Sequence, residues 1–379
     1  MNTTLKTLVF TSLVAIYCCS CQGNSKNVNS IELMPSEEIL SFPIDDSTSN
    51  VSMGLVYYDG QLINVNWTTN SLQFYNLKTQ TKDKEIFFEE EGPNGVGGIF
   101  GIYPHNLDSI FLFNQVASVI TLTDTSGNIK NRIQYEAPRR YSNAFVHNAY
   151  ALSPPLLIKG KLLVKTHITG NYRAMTEEDL SKSDMAYSIN LNSGSVKMED
   201  LEYPEKYLSE GLKLFEPSIV FHPEYTVYSI FGDHRIFKKS KSGELETFEG
   251  KSQYLDEYLP KFPIDGARLE TQRYLLGSSR YESLVYDDYR KVYYRIAYPT
   301  LQITQEEELI KLRQSSGPFV IQVFDESLNL ITERYFEDEI YLPNNLFVAE
   351  KGLYISINNP FNPTAEEDSF RFRLLELVN

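Results

Sequence analysis

Five histidines, four acidic runs and two Arg–Tyr pairs are the side chains in this chain whose types suit chemistry. The histidines are His105, His147, His167, His222 and His234. His105 in YPHN and His222 in FHPE hold comparable places, each just before a strand, and two matched imidazoles could open a metal site. No carboxylate stands at a ligand spacing from either, so no metal is expected and both read as solvated turn residues. The acidic runs are Glu89–Glu91, Glu177–Asp179, Glu306–Glu308 and Glu337–Glu339. Carboxylates hydrolyse glycosides when two face one another across the bond at a set separation. Contiguous acids on loops read instead as solvated faces. No Gly-x-Ser-x-Gly elbow presents a serine for acyl transfer. The stretch EGPNGVGG (91–98) lacks the Lys-Ser/Thr ending of a phosphate loop, because Gly97, Gly98, Ile99 and Phe100 stand there. Catalytic residues and cofactors are therefore not expected, and the glycines read as a tight crossing between structural units.

The elements that carry these residues repeat. VYYDGQLINVNWTTNSLQFYNLKTQTKDKEIFFE and IYPHNLDSIFLFNQVASVITLTDTSGNIKNRIQYE each read as strands separated by polar turns. Four further stretches fit the same pattern with longer insertions. The turns TDTSGNI, NLNSGSV, KSKSGEL and FDESLNL form the most specific internal repeat. Turns near Asp59, Leu107, Gly160, Glu224, Asp288 and Lys351 recur at intervals suited to four-stranded blades. The expected fold is all-β: a six-bladed β-propeller of four-stranded antiparallel blades. Short helices are expected only in insertions, at 175–184, 204–215, 252–262 and 304–314. A last blade built from the C-terminus alone lacks an outer strand. Residues 30–44 (SIELMPSEEILSFPI) are expected to supply it beside FRFRLLELV, which closes the ring and covers two sheet edges.

All three cysteines, Cys18, Cys19 and Cys21, lie near the start, after MNTTLK and the apolar run LVFTSLVAIY. That pattern reads as a secretory signal over residues 1–20, too short to span a bilayer. Cys21 after Ser20, followed by the polar tether 21–29, reads as a lipidation site, with the propeller over 30–379. Thiol nucleophiles, redox pairs and cysteine-type zinc sites are then excluded from the folded body. Without residues 1–20 the chain keeps 34 basic and 50 acidic residues, a net charge of −16. Nucleic acid is not an expected partner, since affinity for it rests on Lys and Arg neutralising phosphates. The 26 Tyr and 22 Phe are expected mostly in strands and core.

With these repeats the chain resembles six-bladed propellers of the TolB-like and NHL-like kind, in particular a group of uncharacterised bacterial envelope lipoproteins. Many of those carry Gly-Pro-Gly-Glu where a blade begins, and EGPNGVGG is similar through Gly92, Pro93 and Gly95. Asn94 intervenes and the Glu is missing. The resemblance implies the fold and the cell envelope of a Gram-negative bacterium, on the periplasmic or surface face of the outer membrane. It implies no activity.

In such a ring the connections into inner strands line the mouth of the central channel. They hold Asn94, Arg139, Arg140 and Tyr141 (PRRYSN), His147 and Asn148 (FVHNAY), Arg280 and Tyr281 (SSRYES), and Asn344 and Asn345 (LPNNL). Arginines gathered there in an acidic protein would suit a carboxylate, a sugar acid or a peptide terminus. The opposing reading is that each Arg caps a loop carbonyl or pairs with a nearby acid. The expected function is a lipid-anchored, monomeric, non-catalytic propeller that binds a small ligand or a protein. The alternative is a hydrolase or lyase acting on envelope glycans or peptides.

Overall fold

The computed structural model describes residues 31–337 and 339–379. Six four-stranded antiparallel sheets follow one another as blades. Blade 1 holds Leu55–Tyr58, Gln61–Asn66, Ser71–Asn76 and Thr81–Phe87, and blade 2 holds Gly101–Asn106, Ser109–Phe113, Val119–Thr123 and Ile129–Gln134. Blade 3 holds Leu156–Ile158, Lys161–Lys165, Ala186–Asn190 and Val196–Met198, and blade 4 holds Pro217–Phe221, Tyr225–Ile230, Ile236–Ser240 and Leu245–Phe248. Blade 5 is Arg280–Asp287, Val292–Tyr298, Phe319–Asp325 and Leu330–Phe336. Blade 6 is Leu342–Ala349, Gly352–Ser356, Ser369–Val378 and, outermost, Glu32–Pro43. First strands of neighbouring blades touch one another, which places them innermost around the channel.

The six predicted blades are all present. Middle strands are covered on both faces by adjacent blades, so they read as apolar and aromatic runs; every residue of Val292–Tyr298 is buried. Outer strands such as Thr81–Phe87 stay half exposed and carry the charges. Most of the aromatic enrichment is core, with Tyr75, Tyr187, Tyr228, Tyr293 and Tyr354 almost wholly buried. The repeated turn is one local structure. Asp124 Oδ1 accepts from the Asn128 amide at 3.1 Å, and Asp325 Oδ1 accepts from the Asn329 amide at 2.8 Å. Gly127, Gly194 and Gly243 take φ of 81°, 69° and 92°, while the fourth copy puts buried Leu328 at φ 62°.

The ring closes as expected. Glu32–Pro43 pairs antiparallel with Ser369–Val378, from Glu32 opposite Val378 to Pro43 opposite Ser369, with a bulge between Pro35 and Ile39. Leu33, Leu40 and Phe42 are buried in the seam, Phe42 edge-on to Tyr75 at 5.7 Å.

This topology gives the ring two unlike faces. Turns joining first to second and third to fourth strands are short and lie on one face, beside Glu32 and Val378. All long connections and insertions lie on the other, the long-loop face. Of the four expected helices, Glu177–Ser181 and Glu306–Gln314 form, each with its acidic run in the first turn, where the helix dipole favours negative charge. Residues 204–215 and 252–262 are irregular. Lys206 at φ 60° and Gly211 at φ 131° break the first, and Pro260 ends the second. A helix at Arg268–Gly277 follows instead. Among the described residues no helix is long and apolar enough to cross a membrane.

Candidate functional site

The expected channel-mouth residues lie in four places. Asn94 is exposed at the rim, where Arg132 of the outer strand of blade 2 donates to Pro93 O at 3.1 Å and Gly95 O at 3.3 Å. Arg139 and Arg140 are exposed beside the helix Glu177–Ser181, and Arg140 pairs with Asp179 at 2.9 Å. The Tyr141 hydroxyl accepts from the Asp184 amide at 3.1 Å. Arg280 donates to Ser278 O at 3.2 Å and lies 4.3 Å from the Tyr298 ring centroid. Tyr281 is fully buried, and its ring lies 3.3 Å from the guanidinium of Arg295, itself fully buried. The arginines therefore do not converge, because sequence order fixes which loop holds a residue but not its radius from the axis. His147, Asn148, Asn344 and Asn345 do meet at the centre. His105 and His222 sit two blades apart, and His222 Nε2 meets the Tyr293 hydroxyl at 2.7 Å.

At the centre, residues 148–153 lie across the end of the channel. Asn148 bonds both ways with the backbone of Ile102, at 2.9 and 3.1 Å, on the inner strand of blade 2. Asn344 of blade 6 donates to the Tyr150 hydroxyl at 2.8 Å. The Leu152 amide donates to Ser283 Oγ of blade 5 at 3.3 Å, and Ser218 Oγ of blade 4 donates to Leu152 O. Asn345 Oδ1 accepts from the Ser52 amide at 2.8 Å. One loop thus joins the inner strands of four blades, so the long-loop end of the channel is plugged by the chain itself.

Beside the plug lies a continuous aromatic surface. Trp67, the chain's single tryptophan, sits in the turn between the second and third strands of blade 1 and is 44% exposed. Its ring stacks on Phe100 at 5.8 Å and 15°. His147 stands edge-on to Phe100 at 5.0 Å and to Trp67 at 6.1 Å. Phe145 and Tyr150 extend the surface, 5.8 Å from Phe100 and 5.2 Å from His147. Asn70, at φ 49°, fixes the turn: its side chain accepts from the Ile99 amide at 2.9 Å and donates to Phe88 O and Gly97 O at 3.1 Å. That clamp holds Trp67 against Phe100. The polar context NVNWTTN was the signal available in the sequence, since a tryptophan in an Asn/Thr turn has no strand face to enter.

The titratable groups under this surface are locked in. His147 Nδ1 accepts from the amides of Ala149 and Tyr150 at 3.1 and 3.0 Å. Burial, with some help from Lys165, holds its pKa down to about 4, so the ring is neutral at pH 7. Lys165 is wholly buried; it pairs with Glu216 and donates to Ala151 O at 3.4 Å. Burial lowers its pKa against the pull of Glu216. Glu282, on the inner strand of blade 5 beside Ser283, is buried with Oε1 lacking a partner, and so is the Tyr298 hydroxyl. Burial raises the Glu282 pKa to about 7, opposed by the charge of Arg280. Among the described residues, Asp184, Asp200 and Glu202 bring carboxylates within 4.8 Å of one another, and Lys239 pairs with Asp200 at 2.9 Å.

Fold and topology define a six-bladed β-propeller closed by its N-terminal strand, with a loop-plugged channel. The chain belongs to the family described as a domain of unknown function, DUF4221, whose model matches residues 30–335. It is similar to a DUF4221 member from Bacteroides vulgatus ATCC 8482, with 24% identity and a TM-score of 0.83, covering 93% of this chain and 99% of that one. A Bacteroides fragilis NCTC 9343 protein described as exported is also similar, at 12% identity and a TM-score of 0.56, covering 93% and 96%. Both likenesses concern the fold. No curated protein matches the sequence.

Proposed function

We propose that the protein is a lipid-anchored, non-catalytic binding propeller of the bacterial envelope that takes a ring-bearing ligand, an envelope saccharide, on its long-loop face. The observation that carries this reading is the exposed Trp67 stacked on Phe100 beside the plug. A flat aromatic strip left in water costs free energy unless a partner covers it, and the apolar face of a pyranose ring matches its shape. The hydrolase or lyase alternative has less support, because His147, Lys165 and Glu282 are held in internal contacts or shut away from solvent. Once a saccharide is bound, Trp67→Ala should weaken it about tenfold or more, as central aromatic contacts do. Arg140→Ala, whose side chain clasps Asp179, should leave affinity unchanged. The reverse order would move the site to the rim.

Anchoring rests on Cys21, outside the described residues, and on the likeness to an exported protein. Ile31 leads into the seam on the short-turn face, ten residues after Cys21, a reach of at most about 35 Å. An anchor there would point the aromatic surface away from the membrane. Cys21→Ser should shift the protein from membrane to soluble fractions, since acyl burial supplies about 0.8 kcal/mol per CH₂. A Ser variant that still sediments with membranes would remove the anchor.

A further inference from the structure

We infer that a second site on the long-loop face, a cleft of about 380 Å³ on blade 4, takes a small organic carboxylate between Lys213 and Arg235. Lys213 is half-buried on the cleft wall, its ammonium 4.2 Å from the Tyr207 ring centroid, and no acceptor among the described residues bonds it. Asp233, Glu210 and Glu177 act on it only through space, so a sheltered ammonium with no bonded acceptor keeps unused donors. Burial lowers its pKa against the pull of Asp233, and the nearby charge of Arg235 acts in the same direction as burial. Arg235 commits Nε and Nη2 to Asp233, at 2.9 and 2.7 Å, and leaves Nη1 unbonded.

The loop carrying Arg235 is rigidly placed. Arg295, buried beneath it, donates to Asp233 O at 2.6 Å, His234 O at 2.7 Å and Arg235 O at 3.3 Å. A Cβ on Gly232 would come within 2.6 Å of the Tyr207 hydroxyl and 2.5 Å of Leu214 O, so glycine lets this loop sit against the cleft floor. Arg235 is therefore set before any ligand arrives. Two donors on two residues match the two oxygens of a carboxylate. Phosphate would bring a further oxygen without a donor, and its second charge would meet Asp233. Tyr258, 84% exposed on the lip, offers a ring to the remainder of the molecule.

The test is pulse acetylation of the full-length protein, with mass spectrometry of Lys213 and of exposed Lys161 as internal control. Acetate, galacturonate, inorganic phosphate and chloride are compared at matched ionic strength. At three times its dissociation constant, galacturonate should slow Lys213 labelling about fourfold and leave Lys161 unchanged. Acetate should protect more weakly than galacturonate in wild type, and equally in Tyr258→Ala. Arg235→Gln should abolish protection while leaving the Trp67 emission described below unaltered. Equal protection by chloride, better protection by phosphate, or protection that survives Arg235→Gln would each overturn the carboxylate site.

Discussion

A chain that begins at Ile44 should fail to reach the folded monomer, or should melt far below the full-length protein. Without Glu32–Pro43, the strand Ser369–Val378 becomes an open edge and blade 6 has three strands. Leu33, Leu40 and Phe42 leave the seam, and each buried side chain of that size contributes about 1.5–3 kcal/mol. The sum, roughly 5–9 kcal/mol, rivals the 5–15 kcal/mol of a typical domain. The bare edge also invites intermolecular pairing. Calorimetry and size-exclusion chromatography of the truncated chain check this. An unchanged melting temperature and elution volume would mean that the N-terminal strand does not hold the ring.

Glu282→Gln should stabilise the protein at pH 8 and do little at pH 4.5. The native state holds a proton on Glu282 up to about pH 7, whereas the unfolded chain releases it near 4.5. A carboxyl raised on folding contributes stability that is complete below the unfolded value and lost as pH rises through the folded one. Between those limits the loss is about 3 kcal/mol at 1.36 kcal/mol per pH unit. Glutamine keeps the shape without the charge and escapes that loss. Urea unfolding of both proteins at pH 4.5, 6 and 8 should show the difference growing with pH. A difference flat across that range would place Glu282 in contact with water.

The ring was legible in the sequence because four blades repeat their turn chemistry, and because ELMPSEEILSFP has no other place to hide its apolar residues. The helix at Arg268–Gly277 was not. Leu269 and Leu275 face solvent while Tyr274 and Gly277 are buried, so RLETQRYLLG carries no clean apolar stripe. The proposed binding surface was half legible. His147, Asn344 and Asn345 stand at the centre because their loops end on inner strands. Arg139, Arg140 and Arg280 shared a local pattern with Tyr, and for Arg140 and Arg280 that pattern reports clasping and capping contacts. The plug was hidden because its bonds join residues such as Leu152 and Ser283, 131 positions apart. Trp67 was overlooked beside the charged residues, although it is the only tryptophan and stands in a polar turn.

That uniqueness supplies the most direct measurement of the central claim. All tryptophan emission comes from one ring beside the plug, so titrating the protein with saccharide fragments of the bacterial envelope reads that surface alone. A saccharide that binds by calorimetry should shift or quench Trp67 emission along the same saturation curve. Saturable binding that leaves the emission untouched would contradict the account, since the ligand would then lie away from Trp67, Phe100 and His147.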